Sequence, residues 1–447
     1  MPRLIVINKK IKKFNKKIKV DGDKSLSIRF ALLASQAIGK SKAYNLLKSE
    51  DVISTINCLK KLGVKTIWNK KKNFCEIYGN GLNSYVYKNN LTLNGKNSGT
   101  CVRLLTSLLI NSSKKIKIIG DKSLSKRDMK RIIDPLTEFG ATFYPKNRST
   151  LPILIKGSNH LTPINYLELK GSSQCKSSVM LAALLTPGET KIKCKPSRNH
   201  TELLFKYLKI PIKIKNKKNF DIIKVKGKQN FKSFNYNIPS DISSSAFFIV
   251  LTLLANNSKL IIEKVGVNNS RIGIISILKK MGAKISLKNK ENYKGENIAD
   301  IHVKSSNSLK SISCPKKLNS SAIDEFLIIF LAAAKASGVS YFKNLEELNK
   351  KESKRLNWGS KILSMMGVKN KITKNNGIKI WGQPNLKLNK NFEIKNYLKD
   401  HRVMAMCTIA ALTLGGKWKI HNPESINTSF PSFFKILKKD LGSNINI

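Results

Sequence analysis

The stretch Leu93–Leu105, LNGKNSGTCVRLL, decides the fold, because it joins a polar start that contains glycine to an apolar run of helical length. Asn97 and Ser98 are suitable N-caps for the helix that the apolar residues predict. A helix start offers unpaired N–H groups, and with a nearby cation such as Arg103 it is typical of an anion-binding site. Taken alone, the stretch fits an ordinary capped core helix, which is the commoner case.

The pattern of a polar start and an apolar helix recurs six times, at intervals of roughly 75 residues. The starts lie at Ser25, Ser98, Gln174, Ser243, Asp324 and Asp400. A second helix signal in each copy ends in a similar way: LKKLGVKTI (59–67), LTEFGATFY (136–144), LFKYLKIPI (204–212), LKKMGAKIS (278–286), LSMMGVKNK (363–371) and LKKDLGSNI (437–445). The glycine, replaced by Lys209 in the third copy, predicts a left-handed residue followed by a strand. We therefore expect six copies of one α/β unit, with a period too long for a solenoid of small repeats.

Length and composition indicate a protein of at least two domains with a strong basic excess. The chain has 447 residues, more than a single core usually supports. It carries 83 Lys and Arg against 27 Asp and Glu, a formal charge of +56. The lysines are spread over every segment and form no stripe interleaved with aromatic residues. We interpret the charge as a compositional habit and a bias toward anionic substrates, in preference to a nucleic-acid surface.

The cysteines and histidines predict neither a disulfide framework nor a metal site. The seven cysteines are scattered, with no C-x-x-C pair, which indicates a reducing compartment. The five histidines form no cluster. The longest apolar runs, Phe247–Ala255 and Phe326–Ala334, are far shorter than the roughly 20 residues of a membrane span. The basic N-terminal stretch has no apolar core of signal-peptide length, so a cytoplasmic protein is expected.

The N-terminal region predicts two strands, LIVIN and KIKV, and then a helix that Ser25 caps and that runs to about Ala37, with Gly39 ending it. Arg29 lies one turn after Ser25, so Lys24, Ser25 and Arg29 can converge on one anion. The sequence GKS at 39–41 is not a phosphate-binding loop, because it follows a helix and lacks the earlier glycine.

Further polar motifs precede apolar helices in the first half of the chain. Arg127 lies just before an amphipathic helix, where the alternative is a solvated basic face. Three side chains, Ser172, Ser173 and Gln174, stand at a helix start, and Ser197 and Arg198 lie in a turn.

Acidic residues take these positions in the second half. Asp324 and Asp400 each start an apolar helix, and a capping role is the alternative for both. Glu352 lies among lysines and Arg355, where the alternative is an exposed ion-pair cluster of little energetic value.

Ten motifs in order resemble the 5-enolpyruvylshikimate-3-phosphate synthase family of enolpyruvyl transferases. The motifs are GDKSLSIR (22–29), NSGTCVR (97–103), GDKSLSKRDM (120–129), SSQCKS (172–177), PSRNHTE (196–202), PSDISSSAFF (239–248), IDEF (323–326), KESKR (351–355), DHRVMAM (400–406) and TSFPSF (428–433). The resemblance implies an α/β (α+β) fold, a two-domain inverted α/β barrel of six βαβαββ repeats, three per domain. It implies one domain at 22–240, on the shikimate 3-phosphate side, and another from 1–21 plus 241–447 that carries the catalytic carboxylates.

The resemblance also implies a reaction and its binding residues. The enolpyruvyl group of phosphoenolpyruvate moves to the 5-hydroxyl of shikimate 3-phosphate, and phosphate is released. Shikimate 3-phosphate would be bound by Lys24, Ser25, Arg29, Ser172, Ser173, Gln174, Ser197, Arg198, Asp324 and Lys351. Phosphoenolpyruvate would be bound by Lys24, Gly99, Arg103, Arg127, Gln174, Arg355 and Arg402.

The catalytic roles implied by the resemblance fall on two carboxyl groups. Asp324 would remove the proton of the hydroxyl, Glu352 would protonate the methylene carbon, and Lys24 would assist. The resemblance implies no metal, no organic cofactor, and a monomer without a nucleic-acid or membrane partner. Gly99 is the glycine that the family associates with sensitivity to glyphosate, so competitive inhibition against phosphoenolpyruvate is expected.

The chain departs from the family pattern at four positions. Asn349 replaces an arginine before KES, and Lys354 replaces an aspartate before Arg355. Asp128 replaces a proline, and Thr428 replaces a lysine that contacts phosphoenolpyruvate in some members.

Two alternatives remain open at this point. The related enolpyruvyl transferase that acts on UDP-N-acetylglucosamine shares the fold and uses a reactive loop cysteine, whereas Cys101 and Cys175 here lie within apolar helices. A basic RNA-binding protein without catalysis would instead show tight, salt-sensitive RNA binding.

Overall fold

The computed structural model describes residues 4–69, 73–306 and 308–446, which form two compact units. The first unit comprises Gly22–Ile238 together with Lys294–Glu296. The second unit comprises the described residues up to Asp21, then Pro239–Tyr293 and the described residues from Asn297 onward. Residues 239–240 therefore belong to the second unit, although the predicted first domain includes them. Residues 294–296 belong to the first unit, although the predicted second domain includes them.

The described strands and helices alternate along the whole chain. The strands are β1 (Leu4–Ile7), β2 (Asn15–Ile18), β3 (Ile38–Tyr44), β4 (Thr66–Asn69), β5 (Phe74–Asn80), β6 (Leu91–Asn94), β7 (Ile116–Ile119), β8 (Thr142–Tyr144), β9 (Ile153–Lys156), β10 (Asn165–Glu168), β11 (Glu189–Cys194), β12 (Ile212–Asn216), β13 (Asp221–Lys226), β14 (Asn235–Asn237), β15 (Lys259–Gly266), β16 (Ile285–Tyr293), β17 (Glu296–Lys304), β18 (Val339–Phe342), β19 (Asn370–Thr373), β20 (Gly377–Trp381), β21 (Leu388–Ile394) and β22 (Gly415–His421). The α-helices are α1 (Lys24–Ala34), α2 (Glu50–Lys61), α3 (Gly99–Ser107), α4 (Lys130–Glu138), α5 (Ser173–Leu185), α6 (His200–Tyr207), α7 (Ile242–Leu254), α8 (Gly273–Lys280), α9 (Phe326–Ala334), α10 (Arg355–Met365), α11 (His401–Leu414) and α12 (Phe433–Lys435).

The strands of the first unit form three four-stranded sheets, in the orders β14-β3-β5-β4, β6-β7-β9-β8 and β10-β11-β13-β12. In the second of these, β6 pairs parallel to β7, and β9 pairs antiparallel to both β7 and β8. A helix is needed to return the chain between parallel neighbours, and α3 makes that connection. The second and third sheets with their two helices are thus each one βαβαββ repeat, and the first sheet completes the same unit with β14 from the end of the segment.

The second unit also contains three sheets among its described residues, in the orders β16-β17-β15-β2, β18-β20-β19 and β1-β22-β21. The strands β1 and β2, which are consecutive in sequence, lie in different sheets, so the N-terminal strands do not form a hairpin. β2 pairs parallel to β15, although all of the first unit's segment Gly22–Ile238 separates the two strands in sequence. The repeat is therefore assembled from distant parts of the chain.

Apolar helices form the core of each unit. In the first unit, α1 buries every residue from Leu26 to Ala34. In the second unit, α9 buries all of its residues, and the rings of Phe326, Phe330 and Phe342 lie 5.4 to 5.9 Å apart between centroids. Burying such a ring stabilises the fold by about 1.5–3 kcal/mol. Among the described residues, no helix is long and apolar enough to cross a membrane.

The left-handed conformation predicted for the glycine after the second helix is confirmed at all five glycines, and Lys209 of the third copy adopts it as well. The φ values are 84° at Gly63, 114° at Gly140, 56° at Lys209, 88° at Gly282, 75° at Gly367 and 67° at Gly442. Lys209 adopts this conformation despite its side chain. The helix-ending geometry is therefore a property of the repeat, and glycine only makes it less costly.

The prediction for the first helix was wrong at both ends. Asp23, not Ser25, is the N-cap of α1, and its carboxylate accepts a hydrogen bond of 2.8 Å from the N–H of Leu26. α1 ends at Ala34, and Gly39 lies inside β3. A lone apolar run cannot distinguish the last turn of a buried helix from the strand that follows it.

Candidate active site

The predicted binding residues of the first unit cluster at the N-terminal ends of its buried helices. Ser98 caps α3 by accepting a hydrogen bond of 3.2 Å from the N–H of Cys101. Ser172 caps α5 in the same way, at 3.3 Å from the N–H of Cys175. Helix N-termini carry partial positive charge, which favours the binding of phosphate and carboxylate groups.

Arg29 is a buried cation that hydroxyl groups hold from two other helices. Its Nε donates to Thr201 Oγ1 at 2.8 Å, and its Nη2 donates to Ser177 Oγ at 2.9 Å. Its Nη1 donates to the carbonyl of Ser25 at 3.2 Å. Lys24 lies at the start of the same helix, and its Nζ contacts Asp51 Oδ2 at 2.9 Å.

Gly99 lies beside two arginines. A Cβ atom at this position would come within 3.1 Å of Arg103 Nη1 and 3.2 Å of Arg127 Nη1. Arg127 donates to Asn97 Oδ1 at 3.0 Å. Burial lowers the pKa of Arg103, and the neighbouring Arg127 lowers it further. Two closely spaced cations beside a helix start where Gly99 has no side chain provide a strong site for an anion.

Gln174 links the starts of two helices. Its Oε1 accepts a hydrogen bond of 2.7 Å from Arg103 Nη1, and its Nε2 donates to Thr100 Oγ1 at 2.9 Å. The side chain thereby connects α5 to α3 and orients Arg103. Ser173 is the first residue of α5.

Ser197 and Arg198 lie in the turn before α6, and both are partly buried. Within the described part of the chain, no hydrogen-bond partner lies within reach of the buried Ser197 Oγ. Such a group is costly to leave without a partner, so it indicates a place for a ligand or for water.

The predicted residues of the second unit gather around Arg355, the first residue of α10. Its Nε donates to Asp400 Oδ2 at 2.9 Å, and its Nη2 donates to Glu352 Oε2. Its Nη1 lies 3.4 Å from Asp324 Oδ1. One guanidinium group therefore holds three carboxylates.

Two more cations contact Asp324. Lys351 Nζ lies 3.2 Å from its Oδ1, and Arg402 Nη1 donates to its backbone carbonyl at 2.7 Å. The N-cap position of α9 is Glu325 and not Asp324, so the alternative interpretation of Asp324 as the helix-capping acid was wrong. Asp400, by contrast, is the N-cap of α11.

Burial and charge act in opposite directions on the Arg355–Asp400 pair. Burial alone would lower the pKa of Arg355, but Asp400, Glu352 and Asp324 together raise it. Burial alone would raise the pKa of Asp400, but Arg355 outweighs this effect and lowers it. Both groups are therefore charged across the physiological pH range.

The sequence analysis did not single out the residues that contact the cationic side chains of Lys24 and Arg29. Asp51 contacts Lys24, while Thr201 and Ser177 contact Arg29. Thr201 and Ser177 do lie within the motifs PSRNHTE and SSQCKS. Motif membership was the available signal, but only the fold shows toward which residue each hydroxyl points.

Comparison with known proteins decides the family. The family model of EPSP synthase (3-phosphoshikimate 1-carboxyvinyltransferase) matches residues 8–437. The chain belongs to the EPSP synthase family. It is 39% identical to the 3-phosphoshikimate 1-carboxyvinyltransferase of Ruthia magnifica, over 96% of this chain and 96% of that protein. It is 37% identical to that of Petrotoga mobilis, over 95% and 96%.

A solved structure of EPSP synthase from Acinetobacter baumannii is similar to the chain with a TM-score of 0.86 and 33% identity, covering 99% of each chain. The predicted membership of the EPSP synthase family and the predicted two-domain inverted α/β fold are thus confirmed.

The departures from the EPSP synthase pattern have local partners. Asn349 Oδ1 accepts a hydrogen bond of 3.1 Å from the N–H of Leu356 and so caps α10. Thr428 Oγ1 donates to the carbonyl of Ser425 at 2.9 Å and lies 3.4 Å from His401 Nδ1. Lys354 and Asp128 are exposed.

The cysteines do not resemble reactive nucleophiles. Cys101 and Cys175 are buried, within α3 and α5. A hydrogen bond with Cys58 and burial raise the pKa of Cys101, and burial raises the pKa of Cys175. Neither thiol supports the alternative that depends on a reactive loop cysteine. No metal-binding group of three or more His, Cys, Asp or Glu side chains occurs in the part of the chain that the structure describes.

Proposed function

We propose that the chain transfers the enolpyruvyl group of phosphoenolpyruvate to the 5-hydroxyl of shikimate 3-phosphate, releases phosphate, and so serves aromatic amino-acid biosynthesis. The observation that carries this proposal is that a member of the EPSP synthase family holds Asp324 and Glu352 on one guanidinium group, that of Arg355. Two carboxyl groups in different surroundings can divide the proton transfers that the reaction needs.

We propose that shikimate 3-phosphate is bound by residues at the helix starts of the first unit, several of which carry hydroxyl groups, and by two residues of the second unit. The set is Lys24, Ser25, Arg29, Ser172, Ser173, Gln174, Ser197, Arg198, Asp324 and Lys351. A phosphate monoester accepts hydrogen bonds from hydroxyls, guanidinium groups and helix N–H groups. The buried Ser197 hydroxyl supports this assignment, since a phosphate oxygen would satisfy it.

For phosphoenolpyruvate we propose the residues around Gly99 at the start of α3 and others of the first unit, together with Arg355 and Arg402 of the second unit. The residues are Lys24, Gly99, Arg103, Arg127, Gln174, Arg355 and Arg402. Gly99 supports this assignment, because a side chain there would crowd Arg103 and Arg127. Arginine binds planar carboxylates through two parallel hydrogen bonds, which suits the carboxylate of the substrate.

The addition step requires one proton to leave the 5-hydroxyl and one to be added to the methylene carbon. The elimination step requires a proton to leave the new methyl group. Asp324 removes the proton of the 5-hydroxyl as its oxygen attacks C2 of phosphoenolpyruvate, and Glu352 gives a proton to the methylene carbon. The tetrahedral intermediate then returns a proton from the new methyl group to Glu352 and loses phosphate, which takes up the proton held by Asp324. Glu352 and Asp324 both contact the guanidinium group of Arg355, which also holds Asp400. Lys24 assists by stabilising the developing negative charge.

We further propose that the two compact units are the two functional domains, with the shikimate 3-phosphate residues mainly in the first and the carboxylates in the second. The enzyme is proposed to act as a cytoplasmic monomer without a cofactor, a nucleic-acid partner or a membrane partner. One chain supplies every proposed residue, and its cysteines are all unbridged, as suits a reducing compartment.

Phosphate release by the purified protein tests the proposal. The assay supplies phosphoenolpyruvate with shikimate 3-phosphate in one arm and with UDP-N-acetylglucosamine in the other. Release only with shikimate 3-phosphate is expected. Release only with the sugar nucleotide would keep the fold but overturn the acceptor. No release in either arm would reject the proposed reaction and return attention to Asn349, Lys354 and Thr428.

A further inference from the structure

A pair of buried hydroxyl groups contacts Arg29 without belonging to the proposed binding set. Thr201 and Ser177 are 1% and 0% exposed. Thr201 Oγ1 accepts a hydrogen bond from Arg29 Nε at 2.8 Å and donates to Ser177 Oγ at 2.7 Å. Ser177 Oγ also accepts a bond of 2.9 Å from Arg29 Nη2. The three side chains form a closed ring of hydrogen bonds.

The ring joins the three helices at whose N-terminal ends, or just before them, most of the proposed shikimate 3-phosphate residues lie. Arg29 lies on α1, Ser177 on α5 and Thr201 on α6. A buried ion pair braces the same junction, because Lys176 Nζ lies 2.5 Å from Glu202 Oε1 and both residues are buried. These two residues are the immediate neighbours of Ser177 and Thr201. This ion pair and the hydroxyl pair therefore both link α5 to α6.

The bonds determine the orientation of the guanidinium plane. A guanidinium group is planar and carries five N–H donors in a fixed fork, so two bonds on one edge define both its plane and its rotation. A third bond, from Nη1 to the carbonyl of Ser25, ties the group to its own helix. An arginine side chain otherwise has several rotatable bonds, and holding it in advance removes that entropy cost from ligand binding.

We propose that Thr201 and Ser177 are positioning residues that hold Arg29 in the orientation that binds shikimate 3-phosphate. The inference rests on the proposed function, since it assigns Arg29 to that substrate. It predicts that removal of either hydroxyl weakens shikimate 3-phosphate binding and leaves phosphoenolpyruvate binding and the proton transfers largely intact.

Thr201→Val is the first test, because valine keeps the shape and removes the hydroxyl. We expect KM for shikimate 3-phosphate to rise about tenfold or more, as for the loss of a hydrogen bond to a charged group. The KM for phosphoenolpyruvate and kcat should change by less than about threefold. Thr201→Ser keeps the hydroxyl and should restore a near-normal KM. Ser177→Ala gives the same test with a smaller change if Thr201→Val does not fold.

Thr186→Val is the matched control. Thr186 is 1% exposed and lies in the same unit, but its hydroxyl donates to the carbonyl of Ala182 within its own helix. This variant should leave both KM values unchanged. An equal rise in the shikimate 3-phosphate KM for Thr186→Val would show a general effect of buried hydroxyl loss and overturn the inference.

A double-mutant cycle separates a positioning role from a local structural one. Thr201→Val should add little to the loss that Arg29→Ala already causes, because the hydroxyl acts through Arg29. Full additivity, or a normal KM in both Thr201→Val and Ser177→Ala, would reject the inference. Calorimetric titration of the unaltered enzyme with shikimate 3-phosphate distinguishes failure of this inference from failure of the proposed function. If the unaltered enzyme does not bind shikimate 3-phosphate, the proposed function is rejected and the inference with it.

Discussion

Arg355 and Asp400 form a two-point ion pair in the interior of the second unit. Arg355 Nε lies 2.9 Å from Asp400 Oδ2, and Nη2 lies 3.3 Å from Oδ1. Their side chains are 2% and 0% exposed, and Ser353 Oγ donates to the same carboxylate at 2.9 Å. The pair fixes the guanidinium that Glu352 also contacts.

Asp400→Asn should destabilise the fold and remove part of its acid sensitivity. Breaking a buried ion pair costs about 3–5 kcal/mol, because the remaining charge stays buried. The pKa of Asp400 is lowered in the folded state, so its stabilising contribution is complete above the unfolded value of about 3.9 and is lost as the pH falls below it. Urea unfolding at pH 7 and at about pH 3, below the unfolded pKa, measures both effects. Asp134→Asn, at an exposed position, is the control, and an equal pH dependence in Asp400→Asn and the unaltered protein would contradict the prediction.

Glu352→Gln and Asp324→Ala should each reduce turnover by at least about a hundredfold, the usual cost of a lost acid or base group. Substrate binding should remain mostly intact, as measured by calorimetry beside steady-state kinetics. Glu347→Gln provides the control, since Glu347 lies in the short 3-10 helix Glu346–Lys350 and its carboxylate pairs with the exposed Lys350. Near-normal turnover in either variant would remove that residue from the proposed chemistry.

Gly99→Ala should weaken inhibition by glyphosate, which we expect to compete with phosphoenolpyruvate. The new methyl group would lie 3.1 Å from Arg103 Nη1 and 3.2 Å from Arg127 Nη1, so the arginines must move. We expect the inhibition constant to rise about fivefold or more, from the usual cost of overpacking. The KM for shikimate 3-phosphate serves as the internal control and should change little. Undiminished activity of the unaltered enzyme at high glyphosate would contradict the expectation.

Thiol alkylation should leave the native enzyme active. Burial raises the pKa of Cys75 and Cys194 to about 12 and that of Cys314 to about 11, so few thiolates form at neutral pH. Cys58 is the exception, because a hydrogen bond with Cys101 lowers its pKa, and we expect it to be modified first. Mass spectrometry after iodoacetamide treatment at pH 7.5, with a urea-unfolded sample as the control, measures the pattern. Rapid inactivation with one modified cysteine would favour the mechanism that uses a reactive cysteine.

Local features of the structure could be read from the sequence because their causes are local. Ser98, Ser172 and Asp400 were recognisable as helix starts, and each accepts a capping hydrogen bond from its own helix. The left-handed residue at the end of each repeat was recognisable for the same reason. The cap predicted for α1, Ser25, was wrong, since Asp23 two residues earlier makes the capping hydrogen bond.

The sequence by itself determined the repeat, the family and the residue types of the candidate site, because motif order and periodicity are properties of the residue order alone. Only the tertiary structure decided which side chains contact each other. Arg29 contacts Thr201 across 172 residues, and Arg355 contacts Asp400 across 45. β2 pairs with β15, although the segment Gly22–Ile238 separates these two strands in the sequence. Such contacts depend on the packing of distant helices and on side-chain direction, which no local preference specifies.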